Sequence, residues 1–390
     1  MFRISQYALL LKGISRGRFD RIVAEQGSDR YIKRFSSWDH LLAMVYAQSA
    51  GAQSLRTLEA GFNQHTSHHY HLGTQALRRS TLAEANSRRD PAVFAQVARD
   101  LMAQVHRQLR RECESLLYLL DSTSITLKGP GFDDWTAGNA TRHTQGIKAH
   151  VLYAAHEQVP CRLDFSAANL NDIDHGVTVP IEAGATYVFD KGYCDYNWWY
   201  RIDQQGARFV TRFKHNAAVL IVQSRAIEAT DAGDILEDAL VRFRYRHPGA
   251  KRRNVYEKPL RRVVIARPGH ATPLVLATND LTSPARDIAR RYKDRWQIEL
   301  FFKWIKQHLK VKRFLGRSEN AVKIQILTAL ITYLLLALYK HAHGFTGSLW
   351  TLLSVLRASL FQRPACEQET ARRRQRRQDD RARWQTELFG

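Results

Sequence analysis

The chain has 390 residues, and its 44% hydrophobic content is enough to build two or three packed units. Its 59 Lys and Arg against 37 Asp and Glu give a formal charge of +22, which predicts a polyanionic partner, with nucleic acid ahead of a membrane surface. Four widely spaced cysteines argue against a zinc ribbon and a disulfide framework, and the short N-terminal apolar run argues against a signal peptide, so we expect a reducing cytoplasm.

The first part of the chain, residues 1–112, predicts a small helical domain. Capping residues precede helically spaced apolar residues in the segments that begin at Asp39, Ser54 and Asp90. Arginines and lysines are spread between these segments, so DNA binding is the expected role of this domain. Four histidines between residues 65 and 71 lack a second ligand pair at zinc-finger spacing, and we interpret them as part of a polar loop.

From about residue 115 the pattern predicts a mixed sheet flanked by helices. Two short apolar runs each end in an acid, at Asp121 and at Asp190. Such acids have an ordinary alternative role, in which each caps the turn or helix that follows. Lys148 and His150 stand two apart on a further predicted strand, where a solvated strand face is the ordinary interpretation.

Residues 214–285 predict several strands without helical periodicity and indicate a β-rich insertion. The longest apolar run, residues 326–339, is shorter than the roughly 18 residues that a membrane-spanning helix needs, so a buried core helix is expected. The tail contains a basic run at residues 371–377, which is typical of a solvated segment that binds polyanions without specificity.

The segment 291–306 carries the most informative pattern, a polar stripe on one predicted helix. Tyr292, Arg295, Glu299 and Lys306 fall within about 60° of one another at about 100° per residue, and Lys303 falls on the same stripe. Most of the remaining circumference is apolar, which predicts a largely buried helix; the apolar residues are Trp296, Ile298, Leu300, Phe301, Phe302, Trp304, Ile305 and Leu309. The ordinary alternative is a solvated stripe with an i, i+4 pair of Glu299 and Lys303.

Asp121, Asp190 and Glu299 together predict a metal site. If their strands are neighbours, Asp121 and Asp190 lie side by side, and the helix supplies Glu299 as a third carboxylate. Three carboxylates facing a phosphodiester suit a two-metal mechanism, and Tyr292, Arg295 and Lys306 would then hold neighbouring phosphates. Other acids of the same region are rivals for this role, namely Asp133, Asp134, Asp172 and Asp174.

The spacing Tyr292-x2-Arg295-x3-Glu299-x6-Lys306 resembles the signature of the insertion-sequence-four family of bacterial DDE transposases. Leu-Leu-Asp121-Ser-Thr and Val-Phe-Asp190-Lys-Gly-Tyr resemble that family's two aspartate motifs, and the resemblance extends over roughly residues 10–345.

This resemblance implies an α/β fold: a ribonuclease-H-like catalytic core with a β-rich insertion, preceded by a helical N-terminal DNA-binding domain. We therefore divide the chain into a helical N-terminal domain at 1–112, core parts at 113–213 and 286–345, the insertion at 214–285, and a C-terminal helix with a basic tail at 346–390.

The resemblance also implies a mechanism. Two Mg²⁺ ions, for which Mn²⁺ can substitute, would be held by Asp121, Asp190 and Glu299. The enzyme would cleave double-stranded DNA at the terminal inverted repeats and join the freed 3′-OH to target DNA, by cut and paste, as a homodimer in the bacterial cytoplasm. In relatives of this family, excision passes through a DNA hairpin and a tryptophan of the insertion stacks on a flipped base, but residues 205–285 contain no tryptophan. Two alternatives stay open: a catalytically silent DNA-binding relative, and a nuclease that cuts without joining.

Overall fold

The structure is a computed structural model that describes residues 4–110, 116–139, 144–228, 231, 233–245, 253–309, 311 and 313–362. It divides into two compact units, one formed by residues 1–83 and 335–390 and the other by residues 84–334. The predicted basic run at 371–377 lies outside the described residues.

The described helices are α1 (Gln6–Leu10), α2 (Arg16–Gln26), α3 (Ser37–Ala50), α4 (Leu55–Asn63), α5 (Thr66–Leu72), α6 (Arg79–Arg88), α7 (Ala92–Leu109), α8 (Asp172–Gly176), α9 (Tyr196–Gln204), α10 (Ala285–Asp294), α11 (Trp296–His308), α12 (Glu319–Ala342) and α13 (Leu349–Ser359). The described strands are β1 (Leu117–Thr126), β2 (Ala137–Asn139), β3 (Thr144–Ala154), β4 (Val159–Ala167), β5 (Thr186–Phe189), β6 (Arg208–Arg212), β7 (Val219–Ser224), β8 (Ile235–Phe243), β9 (Leu260–Ile265) and β10 (Leu274–Thr278).

The unit formed by the chain's two ends is built around α3. Ser36 and Asp39 form a reciprocal capping box at its start, which satisfies amide groups that the first turn leaves unpaired. Its residues from 37 to 49 are all buried, so α3 is the central helix of this unit. α13 packs against it, where the Arg357 guanidinium donates to the Ser49 carbonyl at 2.9 Å.

The histidine cluster lies on a helix, and our interpretation of it as a polar loop is wrong. α5 contains His68, His69 and His71, with Gly73 in a left-handed conformation ending the helix. His69 is buried, and its Nε2 lies 3.1 Å from the Phe62 carbonyl. The His69 ring packs against the Phe62 ring with ring centres 4.6 Å apart, a contact that residue polarity alone does not indicate.

The second unit contains one mixed sheet with the strand order β2-β3-β1-β5-β6-β10-β9-β8-β7, and β4 pairs with β3 off this path. β3 runs antiparallel to both β1 and β4, whereas β5 and β6 run parallel to β1. α7 packs against β4, and α9 packs against β6 with Trp198 and Trp199 buried. These helices cover apolar strand residues, as expected for a sheet with parallel strands at its centre.

The β-rich stretch continues the same sheet. β10 pairs antiparallel with β6, and β9, β8 and β7 follow outward in antiparallel order. A buried ion pair joins β8 to β9, with Arg261 donating to both oxygens of Asp238 at 2.7 and 2.8 Å. The strands predicted between residues 214 and 285 are thus present, and they lengthen the sheet beyond β6.

The predicted core helix is α12, which is long and apolar enough to cross a membrane by length and composition. Its most apolar window is 89% buried within the protein, as in the core helix of a globular unit. Thr328 and Thr332 are fully buried on it, and each donates its hydroxyl to a carbonyl one turn earlier. This arrangement agrees with the sequence interpretation of the run as a core helix.

Candidate active site

Asp121 and Asp190 lie side by side near the middle of the sheet. β1 and β5 are parallel neighbours with Leu120 opposite Phe189, so the next residue on each is one of the two acids. The condition for the two carboxylates to lie together, that their strands are neighbours, is therefore met. The expectation that Asp121 ends its strand is wrong, because the ladder between β1 and β3 continues from Asp121 to Thr126.

The Asp121 carboxylate lies in an environment that disfavours an isolated negative charge. Burial raises its pKa to about 6, and the nearby carboxylates of Glu299 and Asp190 act in the same direction. The Ser122 amide, 2.8 Å from Oδ1, and the Arg295 guanidinium, 3.3 Å from Oδ2, act against this rise. Cations and N–H donors are therefore what keep this carboxylate ionised.

Asp190 directly follows β5 and faces two groups from other elements. It precedes a 3-10 turn over Lys191–Tyr193 but makes no side-chain capping bond to it, so the capping alternative does not describe it. The Tyr292 hydroxyl donates to Asp190 Oδ1 at 3.3 Å, and an Arg212 nitrogen lies 3.9 Å from the same oxygen. Burial, followed by the charge of Asp190, raises the pKa of Tyr292 to about 12, so its hydroxyl stays protonated and able to donate.

The signature segment is two helices, and our prediction of one continuous helix is wrong. α10 ends at Asp294 and α11 begins at Trp296, with Arg295 between them. The amides of Arg295 and Ile298 bond to carbonyls three residues earlier, each at 3.2 Å, in place of the four-residue spacing of an α-helix. The tighter turn places Arg295 at the junction of the two helices.

Arg295 bridges the first and third predicted acids. Its Nη1 lies 3.3 Å from Asp121 Oδ2, and its Nη2 lies 2.7 Å from Glu299 Oε1. Its side chain is only 18% exposed, and its guanidinium carbon is 5.7 Å from the centre of the Tyr292 ring. Burial would lower the pKa of Arg295, but Tyr292, Asp121 and Glu299 outweigh it and leave that pKa raised.

Lys306 lies near the C-terminal end of α11 and hydrogen-bonds directly to β1. Its Nζ donates to the Thr123 hydroxyl at 2.5 Å and to the Ser124 carbonyl at 3.2 Å. Lys303 is exposed on the same helix. Thr123 lies on the same face of β1 as Asp121, because side chains alternate along a strand, so α11 covers the face that carries the acid.

The buried surface of α11 is smaller than we predicted. Ile298, Phe301 and Phe302 are buried, as is Leu309 just beyond the helix, and Phe301 contacts Tyr153 of β3 with ring centres 5.4 Å apart. Trp296 is 57% exposed and Leu300 is 47% exposed, so their expected burial is wrong. The break at Arg295 rotates the start of α11, which leaves these two side chains on the solvent side.

The three carboxylates of this site supply the oxygen ligands that Mg²⁺ and Mn²⁺ prefer. Within the part of the chain that the structure describes, no three His, Cys, Asp or Glu side chains converge closely enough to share one ion. The reason is visible in the contacts: the Arg295 guanidinium lies between Asp121 and Glu299. The residues still suit Mg²⁺ or Mn²⁺, because all donors are carboxylate oxygens whose mutual repulsion a cation relieves.

Of the rival acids, only Asp172 reaches the vicinity of Asp121. Its Oδ1 accepts from the Ser122 hydroxyl at 2.7 Å and from Lys148 Nζ at 3.0 Å. Asp133 instead accepts from the Gly129 amide and from Gln145. Asp134 and Asp174 are exposed.

Sequence reasoning missed the polar network around Lys148 and His150. Both residues are buried, at 4% and 1% exposure, so the interpretation as a solvated strand face is wrong. The His150 ring stacks on the His175 ring at 4.2 Å, and its Nε2 lies 2.7 Å from the Ser166 hydroxyl. The available signal was a lysine and a histidine alternating with apolar residues on a strand that directly neighbours the one carrying Asp121.

An open cleft of about 950 Å³ lies beside Asp190. Its lining combines the two acids Asp172 and Asp190 with several basic side chains. The basic ones are Lys191, Arg212, Lys214, His215 and Arg262. A polyanion entering this cleft would meet compensating charge on both the core strands and the strands beyond β6.

Comparisons with known proteins show which family the chain resembles. A family profile described as a transposase DDE domain matches residues 112–335, and a profile described as a domain of unknown function matches residues 4–75. A Sinorhizobium fredii protein named as a transposase is 42% identical over 284 residues, which cover 72% of this chain and 77% of that relative.

Two further relatives carry names of transposases of insertion sequence elements. The relative from Geobacillus stearothermophilus is 27% identical over 260 residues, which cover 66% of each chain. The relative from Synechocystis is 25% identical over 267 residues, covering 66% of this chain and 71% of the relative. The piggyBac transposase in a cryo-EM synaptic complex with hairpin DNA aligns with a TM-score of 0.49 and 10% identity over 92% of this chain and 80% of that one.

The resemblance to DDE transposases is therefore confirmed. The DDE domain match includes Asp121, Asp190 and Glu299 and covers more than half of the 390 residues. The chain belongs to the family of transposases with a DDE domain, enzymes that cleave and transfer DNA strands.

Proposed function

We propose that the chain is a cut-and-paste transposase of the insertion-sequence-four type. It would cleave DNA at the terminal inverted repeats of its own element and join the freed 3′-OH to target DNA. The observation that carries the proposal is the adjacency of Asp121 and Asp190, with Arg295 linking Asp121 to Glu299.

The core would be ribonuclease-H-like, with 113–213 and 286–345 as its two parts and 214–285 as the insertion. The strand order β4-β3-β1-β5-β6, in which the first three strands are antiparallel and the last two are parallel to β1, supports this assignment. The divisions at 1–112 and 346–390 stay predictions.

Asp121, Asp190 and Glu299 would hold two Mg²⁺ ions, or Mn²⁺ in their place. When bound, such ions activate the attacking water or 3′-hydroxyl and stabilise the leaving oxygen. The three carboxylates supply only oxygen donors, which Mg²⁺ prefers.

The neighbouring side chains would bind and orient the DNA backbone. Arg295 would leave its carboxylate partners when they bind cations, and its fork of donors then suits a phosphate beside the scissile one. The protonated Tyr292 hydroxyl would donate to a phosphate oxygen, and Lys306 and the exposed Lys303 would add positive charge along α11.

The DNA partner would be double-stranded, and the helical N-terminal region would contribute to binding it. The charge of +22 supports a polyanionic partner. Pairing of two transposon ends would require a homodimer in the active complex, and the bacterial cytoplasm would be the site of the reaction. Stacking on a flipped base would fall to aromatic residues of the insertion such as Phe243 or Tyr245, of which Tyr245 is 53% exposed.

The test is a cleavage assay on DNA that contains this gene with its native flanks, with Mg²⁺ and with EDTA. We expect metal-dependent cuts at two inverted sites with wild type, and none with Asp121→Asn, Asp190→Asn or Glu299→Gln, while each variant still binds the flanks. Retained cleavage in one variant would remove that residue from the triad.

The same assay separates the alternatives. Tight binding to the flanks without metal-dependent cuts, under conditions where a related active enzyme cuts, would favour the catalytically silent relative. Cuts without any joined target product would favour a nuclease. The structures of the cut ends would show whether a hairpin forms.

A further inference from the structure

A buried ion pair lies on the face of β1 opposite to α11. Lys148 Nζ is 3.0 Å from Asp172 Oδ1 and also donates to the Leu170 carbonyl at 2.6 Å. The side chains of Lys148 and Asp172 are only 6% and 21% exposed. Removing two charges from water costs free energy that an apolar pair of similar size avoids, so stability alone does not explain the pair.

Asp172 contacts the strand of the first aspartate. Its Oδ1 accepts a hydrogen bond from the Ser122 hydroxyl at 2.7 Å, and the Ser122 amide donates to Asp121 Oδ1 at 2.8 Å. Ser122 and Asp121 point to opposite faces of β1, because side chains alternate along a strand. Asp172 therefore reaches Asp121 through Ser122.

Asp172 also lies beside the turn after the second aspartate. A Cβ atom added to Gly192 would lie 3.3 Å from Asp172 Oδ2, a contact closer than most Cβ atoms make. α8, which begins at Asp172, packs on both β1 and the turn Lys191–Tyr193. One carboxylate thus accepts a hydrogen bond from the residue after Asp121 and lies next to the turn after Asp190.

We propose that Lys148 and Asp172 are positioning residues that fix Asp121 and Asp190 relative to each other. Lys148 holds Asp172 in place from β3, Asp172 accepts from Ser122, and α8, which begins at Asp172, packs against the turn that contains Gly192. The inference rests on the proposed metal-dependent function, because the spacing of the two aspartates matters for a shared cation.

The experiment measures Mn²⁺ binding to the full-length protein without DNA, by electron paramagnetic resonance, together with cleavage rate, DNA affinity in EDTA and thermal unfolding. The variants are Asp172→Ala, Ser122→Ala and Ser122→Thr. Glu157→Ala is the matched control, because Glu157 has a carboxylate with 7% exposure in the turn between β3 and β4, paired with His106.

We expect Asp172→Ala and Ser122→Ala to weaken Mn²⁺ binding and slow cleavage by about 10-fold to 100-fold, the usual cost of losing a group that orients a metal ligand. DNA affinity in EDTA should not weaken, since a carboxylate and a serine hydroxyl bring no positive charge to a phosphate. Ser122→Thr keeps the hydroxyl and should restore both values. Glu157→Ala should lower the unfolding temperature without changing Mn²⁺ affinity.

A double variant separates positioning from folding. Lys148→Met with Asp172→Leu removes both buried charges, so it should fold with little loss of stability, yet Ser122 still loses its acceptor. We expect this variant to keep the wild-type unfolding temperature and to show the same Mn²⁺ and cleavage defects as Asp172→Ala.

Wild-type Mn²⁺ affinity and cleavage in Asp172→Ala, or an equal loss of Mn²⁺ affinity in Glu157→Ala, would overturn the inference and leave the proposed function intact. Failure of wild type itself to bind Mn²⁺ at a site that Asp121→Asn removes would contradict the proposed function, and the inference with it.

Discussion

At the residue scale, the Arg295 guanidinium links one strand acid to one helix acid. It contacts Asp121 at 3.3 Å and Glu299 at 2.7 Å, so without a metal ion it supplies the positive charge that these carboxylates need. A divalent cation bound there would replace this role of Arg295 and free its donors. The contact of Arg295 with a DNA phosphate should therefore depend on metal.

This dependence gives the first prediction. In EDTA, Arg295→Ala should change the affinity for the flank DNA by less than about twofold, because its Nη1 and Nη2 groups already pair with Asp121 and Glu299. With Ca²⁺ present, the same variant should bind about 3-fold to 10-fold more weakly, with a salt slope smaller by about 0.9.

Fluorescence anisotropy at several salt concentrations measures both values. Lys303→Ala is the control, since an exposed lysine should contribute equally with and without Ca²⁺. Equal losses of DNA affinity in EDTA and in Ca²⁺ for Arg295→Ala would contradict the proposal that Arg295 exchanges its carboxylate partners for a phosphate.

The second residue-scale prediction concerns His150, which is buried as a neutral ring. Burial and then the neighbouring His175 ring lower its pKa to about 4, and its Nδ1 has no hydrogen-bond partner among the described residues. The folded state therefore resists protonation of a ring whose ordinary pKa is 6.5. Below about pH 6.5 the unfolded chain binds a proton that the folded protein does not.

The expected result is a loss of unfolding free energy as the pH falls from about 6.5 to about 4, at most roughly 3 kcal/mol from this group, with no further loss from it below that range. Urea denaturation at a series of pH values measures it. His150→Gln keeps a donor for Ser166 without titrating, so its stability should fall less over this range. The same pH dependence in His150→Gln and wild type would rule His150 out as the source.

At the element scale, the loop before α10 is fixed by a buried network that reaches the strands beyond β6. Arg261 donates to the Ser283 carbonyl, and the Asp280 carboxylate accepts from the Ser283 hydroxyl at 2.6 Å and from Arg291 at 2.7 Å. This network determines where α10 begins. Its position in turn decides where Tyr292 and Arg295 meet the acids.

Asp280→Asn is the element-scale prediction. Burial alone would raise the pKa of Asp280, but hydrogen bonds from Ser283, Arg291 and Thr282 outweigh it and hold that pKa well below its ordinary value of 3.8. The variant should unfold with about 3–5 kcal/mol less free energy at pH 7, because Arg291 loses a buried partner.

The direction in which stability changes with pH follows from the lowered pKa of Asp280. The stabilisation from Asp280 is complete above about pH 4 and is lost as the pH falls through the folded pKa, so wild type and variant should converge in acid. Asp287→Asn on α10 is the control, with a pair to the exposed Arg290 and an expected change below about 0.5 kcal/mol. An equal loss of unfolding free energy in Asp280→Asn and Asp287→Asn would contradict the stabilising role of the buried network around Asp280.

At the scale of the whole molecule, the charge of +22 governs encounter with DNA. If six to ten phosphates are contacted, affinity for the flank DNA should fall by about 10³-fold to 10⁵-fold between 50 and 200 mM salt. Binding to unrelated DNA should show a similar slope, because phosphate contacts carry no sequence information. Filter binding across salt concentrations measures both slopes, and a nearly flat slope would exclude phosphate contacts as the main source of affinity.

Several features could be predicted from local sequence. The helical start of the chain, the β-rich stretch and the core helix follow from hydrophobic periodicity and capping residues, which act within a few positions. Asp121 and Asp190 could be singled out because each follows an apolar run, and Tyr292, Arg295, Glu299 and Lys306 because their spacing matches a signature. Their roles as ligands and phosphate contacts stay predictions.

Other features depend on partners distant in sequence. Whether Lys148 and His150 face solvent depends on Asp172 and His175, which cover them from α8. Arg295, at the break between α10 and α11, pairs with Asp121 on a strand 174 residues earlier in the chain, a contact that local periodicity does not predict.

The sequence by itself thus determined which acids follow the apolar runs and which residue types stand along the signature segment, because short-range periodicity and spacing are written in it directly. Only the tertiary structure decided that Arg295 lies between Asp121 and Glu299 and that Asp172 bonds to Ser122 and lies beside the turn after Asp190. Burial and electrostatic pairing are set by which elements pack together, and no local pattern encodes that.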